Sequence, residues 1–183
     1  MDGMAVTAYY LGGGFETLYW ADIDSDSGGV TGTGWSMRAD GNTFNSGAWS
    51  LTASSAITGL YIDAGVGDTV FDTVYSPYPG TPGSARGRNF AVTTSGSGTI
   101  VATYIDQVAL TGNAPIGDLY RYLDIQFTDL GGWAGSLNFT ADSDNILFGG
   151  DIDPVPEPAT MLLLGTGLIG LAGIGRKKFF KKG

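Results

Sequence analysis

The residues best placed to do chemistry are three carboxylates at alternate positions in Asp22-Ile23-Asp24-Ser25-Asp26-Ser27-Gly28. Asp22, Asp24 and Asp26 resemble the opening of an oxygen-ligand loop for a hard cation, so they are candidate calcium ligands. The pattern then departs from such a loop. Glycine falls at its seventh position instead of its sixth, and Thr33 stands where a bidentate glutamate is needed. Two similar fragments, Asp142-Ser143-Asp144-Asn145 and Asp151-Ile152-Asp153, could lend further oxygens. The competing reading is solvated acidic turns, where Asp and Asn are favoured because they hydrogen-bond their own backbone. Apart from calcium, no cofactor is expected.

Other chemistries are excluded by composition. The chain has no histidine and no cysteine, which removes Ser-His-Asp and Cys-His nucleophilic catalysis and the His-containing zinc sites. Glu16 is the only glutamate before Glu157, and no carboxylate pair suited to glycoside hydrolysis stands out. The expectation is therefore a protein that is not an enzyme. Trp35, Trp49, Trp133 and Tyr78 lie near turns and could stack on sugars, but their alternation with polar residues assigns most aromatics to a core. Arg86 and Arg88 are expected to pair with neighbouring aspartates, which are in excess.

The elements that must position these groups read as strands. Glycine accounts for 31 of 183 residues, and turn signals recur every eight to twelve residues, as at Gly12-Gly13-Gly14, Ser27-Gly28-Gly29, Asp40-Gly41-Asn42, Gly65-Val66-Gly67 and Gly131-Gly132. Between them lie alternating segments: Leu119, Arg121, Leu123, Ile125 and Phe127 share one face, opposite Tyr120, Tyr122, Asp124 and Gln126. Val101, Thr103 and Ile105 alternate with Ile100, Ala102 and Tyr104, and Leu137 and Phe139 alternate with Ser136, Asn138 and Thr140. The spacing predicts an all-β fold, an antiparallel β-sandwich or jelly roll over residues 1–148, with a proline-bearing loop at 75–83.

Charge divides the chain. Residues 1–155 hold 17 acidic side chains and four arginines, a net −13, and no lysine; residues 156–183 carry a net +4. The acidic body lacks the cationic footprint that nucleic-acid binding requires, so no nucleic-acid partner is expected.

The tail is a different kind of sequence. An acidic, proline-containing linker at 149–158 leads into 17 uncharged residues, 159–175, and then a basic stretch at 176–183. As a helix the uncharged run reaches roughly 25 Å, close to the ~30 Å hydrocarbon core of a bilayer. It is apolar on every face, unlike a helix that lies on a soluble core. The expectation is a single C-terminal transmembrane helix in the inner membrane, stopped by Arg176, Lys177 and Lys178, with the C-terminus cytoplasmic and residues 1–158 outside.

Val155-Pro156-Glu157-Pro158, the apolar segment through Gly175 and the cluster at 176–178 resemble, in that order, the PEP-CTERM sorting signal of Gram-negative bacteria. The resemblance implies an exosortase-like membrane transpeptidase as partner, with Pro156, Glu157 and Pro158 as substrate recognition residues and the catalytic cysteine supplied by the partner. Within the body, Gly47–Ala53 and Leu137–Asn145 look like phrases of other proteins that carry this signal. The resulting expectation is an exported protein, held in the membrane and then released to the cell surface or extracellular polymer, with a structural or adhesive role. The alternative is a calcium-dependent carbohydrate-binding module at the cell surface, with an extracellular polysaccharide as partner. Export calls for an N-terminal signal, and Met1-Asp2-Gly3-Met4 offers no basic region or apolar run, so a leader is expected upstream of Met1.

Overall fold

The structure is a computed structural model that describes residues 1–94, 99–110, 114–128 and 131–145. The chain divides into two units, Met1–Phe148 and Gly149–Gly183. The linker, the Pro156-Glu157-Pro158 motif, the expected transmembrane helix and the Arg176-Lys177-Lys178 stop lie outside the described residues, as do Asp151 and Asp153. Among the described residues no helix is long and apolar enough to cross a membrane.

The first unit is all-β and antiparallel, as the alternation predicts. Its strands are β1 Ala5–Tyr10, β2 Phe15–Tyr19, β3 Ala21–Asp22, β4 Ser27–Gly32, β5 Trp35–Asp40, β6 Trp49–Asp63, β7 Thr69–Asp72, β8 Ala91–Val92, β9 Ile100–Val108, β10 Leu119–Phe127, β11 Trp133–Thr140 and β12 Ser143–Asn145. A single 3-10 turn, Gly65–Gly67, joins β6 to β7.

These strands form one hydrogen-bonded sheet, curled on itself. The reason lies in β6, whose 15 residues serve two neighbourhoods. Its first half runs between β5 and β11, pairing Leu51 with both Met37 and Leu137. Its second half runs between β1 and β10, pairing Ile62 with both Val6 and Leu123. Register breaks at Tyr9/Tyr10 in β1 and between Trp133 and Gly135 in β11 both flank the middle of β6. Irregularities of this kind bend a strand and increase its twist, which curls the sheet there. Gly135, at φ 140°, supplies the backbone freedom for the second break.

The apolar rows meet on one face to form the core. Trp20, Trp49, Phe71, Phe139, Leu60, Ile62 and Leu123 are fully buried. Trp49 packs on Trp20 at 5.3 Å and on Phe139 at 5.7 Å between ring centroids. Ser27-Gly28-Gly29 is not the turn its composition predicts but the start of β4. A side chain at Gly28 would collide with the Trp20 indole, so this glycine serves close approach within a strand instead of a reversal.

Candidate functional site

The loop between β3 and β4 presents the first candidate ligands. The backbone N–H groups of Ile23 and Asp24 donate to the Ser27 carbonyl at 2.8 and 3.2 Å, and the Asp26 N–H donates to Asp24 Oδ1 at 2.9 Å. That amide favours the charged form of Asp24 and holds its carboxyl below the usual carboxylate range. The loop is an acidic turn of the kind its composition describes.

Tertiary structure then does what spacing cannot. The loop faces the start of β12, so that Asp22, Asp24, Asp26, Ser27, Asp144 and Asn145 line one pocket of about 310 Å³. The N-terminal ammonium of Met1 donates to Asn145 Oδ1 at 2.7 Å and lies 4.0 Å from Asp22 Oδ2. Thr43 pins the far wall: its Oγ1 donates to Asp142 Oδ1 at 3.1 Å and accepts from the Ser143 N–H at 3.0 Å. Two of the acidic fragments singled out by sequence are thus neighbours. Among the described residues, however, no group of three or more acidic side chains converges closely enough to hold a metal ion.

In a second acidic group, Asp142 belongs to a fragment that the sequence singles out, whereas Asp72 and Asp118 escape sequence reading. Asp72, Asp118 and Asp142 are buried to within 5% of complete. Asp118 and Asp72 hold the proline loop and the residues that follow it. Asp118 accepts from the Thr81 N–H and, at 2.6 Å, from Thr81 Oγ1, while Asp72 Oδ2 accepts from Ser84 Oγ at 2.7 Å. Side chains at Gly80 or Gly87 would collide with these carboxylates, so the loop lies directly on them. Among the described residues Asp72 Oδ1 has no hydrogen-bond partner. Burial, reinforced by the nearby carboxylates of Asp144, Asp142 and Asp118, pushes Asp72 up to about 7; burial and Asp144 push Asp142 up to about 6. The visible signal was an aspartate closing the apolar run Thr69-Val70-Phe71-Asp72.

Other candidates move to structural roles. All four tryptophans are buried, so Trp35, Trp49 and Trp133 present no sugar-stacking face, whereas Tyr78 is exposed. Three further exposed aromatics, Tyr9, Phe15 and Tyr19, lie on β1 and β2. Glu16 accepts hydrogen bonds from Tyr10 Oη, the Thr33 N–H and Trp35 Nε1, each at 2.8 Å to Oε2, which ties β2 to the β4–β5 turn. Arg88 donates to the Phe44 carbonyl at 2.9 Å and lies over the Phe44 ring; its expected ion pair is not among those formed by the described residues.

The fold and site define an antiparallel β domain with an acidic pocket at one end, followed in the chain by a composite export tail. Residues 154–177 match the PEP-CTERM protein-sorting motif, which contains Pro156, Glu157 and Pro158 and reaches Arg176 and Lys177. Proteins with this motif are processed by exosortase, a membrane enzyme. No curated protein and no solved structure matches the chain.

Proposed function

We propose that this protein is delivered to the cell surface or extracellular polymer through its C-terminal signal and acts there as a structural or adhesive component, without catalysis. The motif match at 154–177 carries the reading. In it, the segment 159–175 crosses the inner membrane once, Arg176, Lys177 and Lys178 keep the C-terminus cytoplasmic, and an exosortase-like transpeptidase acts near Pro156-Glu157-Pro158. The absence of histidine and cysteine and the lack of lysine in the body support a role other than catalysis or nucleic-acid binding.

The test is fractionation of the full-length protein in cells with and without the exosortase, with mass mapping of its C-terminus. The expected result is a tail lost only where the exosortase is present. An intact tail in both strains overturns the reading.

A second reading, a calcium-dependent carbohydrate-binding module, is favoured by one observation: the Asp22–Asp26 loop and Asp144-Asn145 share a pocket. Oxygen ligands from two chain segments are what a calcium site uses, and binding would draw the loop onto β12. In this reading the melting temperature rises with millimolar calcium, and glycan binding disappears with a chelator. An unchanged melting temperature ends it.

A further inference from the structure

Sheet edges are templates for strand addition, and folded proteins blunt them with short strands, charges pointing inward, or prolines. Among the described residues this protein follows the rule at four of its five terminal strands. β3, β8 and β12 have two or three residues each, and β2 has five, with Glu16 turned into a hydrogen-bonded cage beneath it. The exception is β9. It has nine residues, pairs only with β10 among the described residues, and contains no proline, lysine or arginine. Its register with β10 is continuous from Ile100↔Phe127 to Ile105↔Tyr122, passes over Asp106 at φ 62°, and resumes at Gln107↔Tyr120, so the strand is regular over Ile100–Ile105.

The outward row of β9 is apolar for an exposed edge. Val101 is 47% exposed and Ile105 39%, with exposed Thr103 between them. Asp106 is the strand's only charge and lies toward its end, at φ 62°.

We infer that β9 is an interaction edge and that its partner is the β9 strand of a second copy of this chain, paired antiparallel about a two-fold axis at Thr103. The row is complementary to itself in that register. Val101 faces Ile105 of the other copy and Thr103 faces Thr103, with the strand's one charge, Asp106, beyond these pairs, so no like charges are opposed. A hydroxyl pair is thus flanked on both sides by apolar pairs, while the backbone groups on the open side of β9 find partners. The pairing continues the sheet from β2 through β1, β6, β10 and β9 into the second copy. An unrelated extended segment would meet the same backbone groups but not this matched row.

The chain has no cysteine, which makes the test direct. Thr103→Cys places one thiol at the two-fold axis, where facing Cβ atoms across a strand pair lie within disulfide reach after small adjustment. Thr17→Cys, on edge strand β2, is the control. The full-length chain in mild detergent is exposed to a gentle oxidant, and covalent dimer is followed over time. The expected result is cross-linking of Thr103→Cys about tenfold or more faster than Thr17→Cys, from the proximity of paired thiols. Adding Ile105→Lys should bring the rate down to the control, with circular dichroism confirming that the β fold is retained. Equal rates for the two single variants, or a fast cross-link that Ile105→Lys leaves unchanged, overturns the inference. Sorting is read from the C-terminal mass, so either proposal can fail without the other.

Discussion

Trp49 stacks on Phe139 with ring planes 12° apart, and the same indole donates through Nε1 to the Ala141 carbonyl at 2.7 Å. The two residues lie on β6 and β11 and face each other in the register of that strand pair.

Removing that indole takes away a fully buried ring and leaves a carbonyl without its donor. Trp49→Ala should destabilise the domain by about 3–5 kcal/mol, and Trp49→Phe by less, because the stacking surface survives while the hydrogen bond is lost. Denaturant midpoints of the two variants check the order.

With all four tryptophans buried, emission of the native protein should be blue-shifted and weakly quenched by acrylamide. Unfolding should move the emission to the red and open it to quencher. Native emission typical of exposed indole would contradict the burial of Trp35 and Trp133.

Asp72 predicts an unusual pH dependence. Its carboxyl is pushed up to about 7, so the folded state holds this proton more tightly than the unfolded chain does. Its contribution is therefore full below about pH 4, the unfolded value, and is lost as pH rises through about 7. Asp142, raised to about 6, acts in the same direction. The loss from Asp72 is on the order of 3 kcal/mol between those limits. Asp72→Asn mimics the neutral acid and should flatten the profile, gaining stability at pH 8 relative to the parent. Thermal melts from pH 5 to 8 measure it.

Glu16 titrates with the opposite sign. Hydrogen bonds from Thr33, Tyr10 and Trp35 hold its carboxyl down at about 2, so its contribution is present above the ordinary glutamate value and is lost as pH falls toward 2. Glu16→Ala should lower the melting temperature at neutral pH by leaving the Thr33 N–H and the Trp35 indole N–H without their acceptor. Glu16→Gln should recover part of the loss and remove this acid-dependent component. Melting curves of both variants at pH 7 and pH 3 test this.

Much of the fold was legible because the strand period is two. The alternation of Leu119, Leu123, Ile125 and Phe127 with Tyr122, Asp124 and Gln126 survives in β10, where the first four are buried. What misled was glycine, whose two uses look alike in a sequence. Gly13 and Gly14 take positive φ in the β1–β2 turn, whereas Gly28 lies within a strand because an indole crosses it. The reach of β6 was hidden too, since Ser54 and Ser55 interrupt its apolar pattern where neighbouring strands change partners.

By itself the sequence determined the strand class, the exclusion of histidine and cysteine chemistry, and the export signal, because alternation, composition and a contiguous motif are local properties. Only the tertiary structure decided which acids are neighbours. It brought Asp144 to the Asp22–Asp26 loop and buried Asp72 and Asp118 beneath the proline loop. It also left β9 with a single partner strand among the described residues. Burial, pairing and edge exposure arise from contacts between residues far apart in the chain, and no local spacing encodes them.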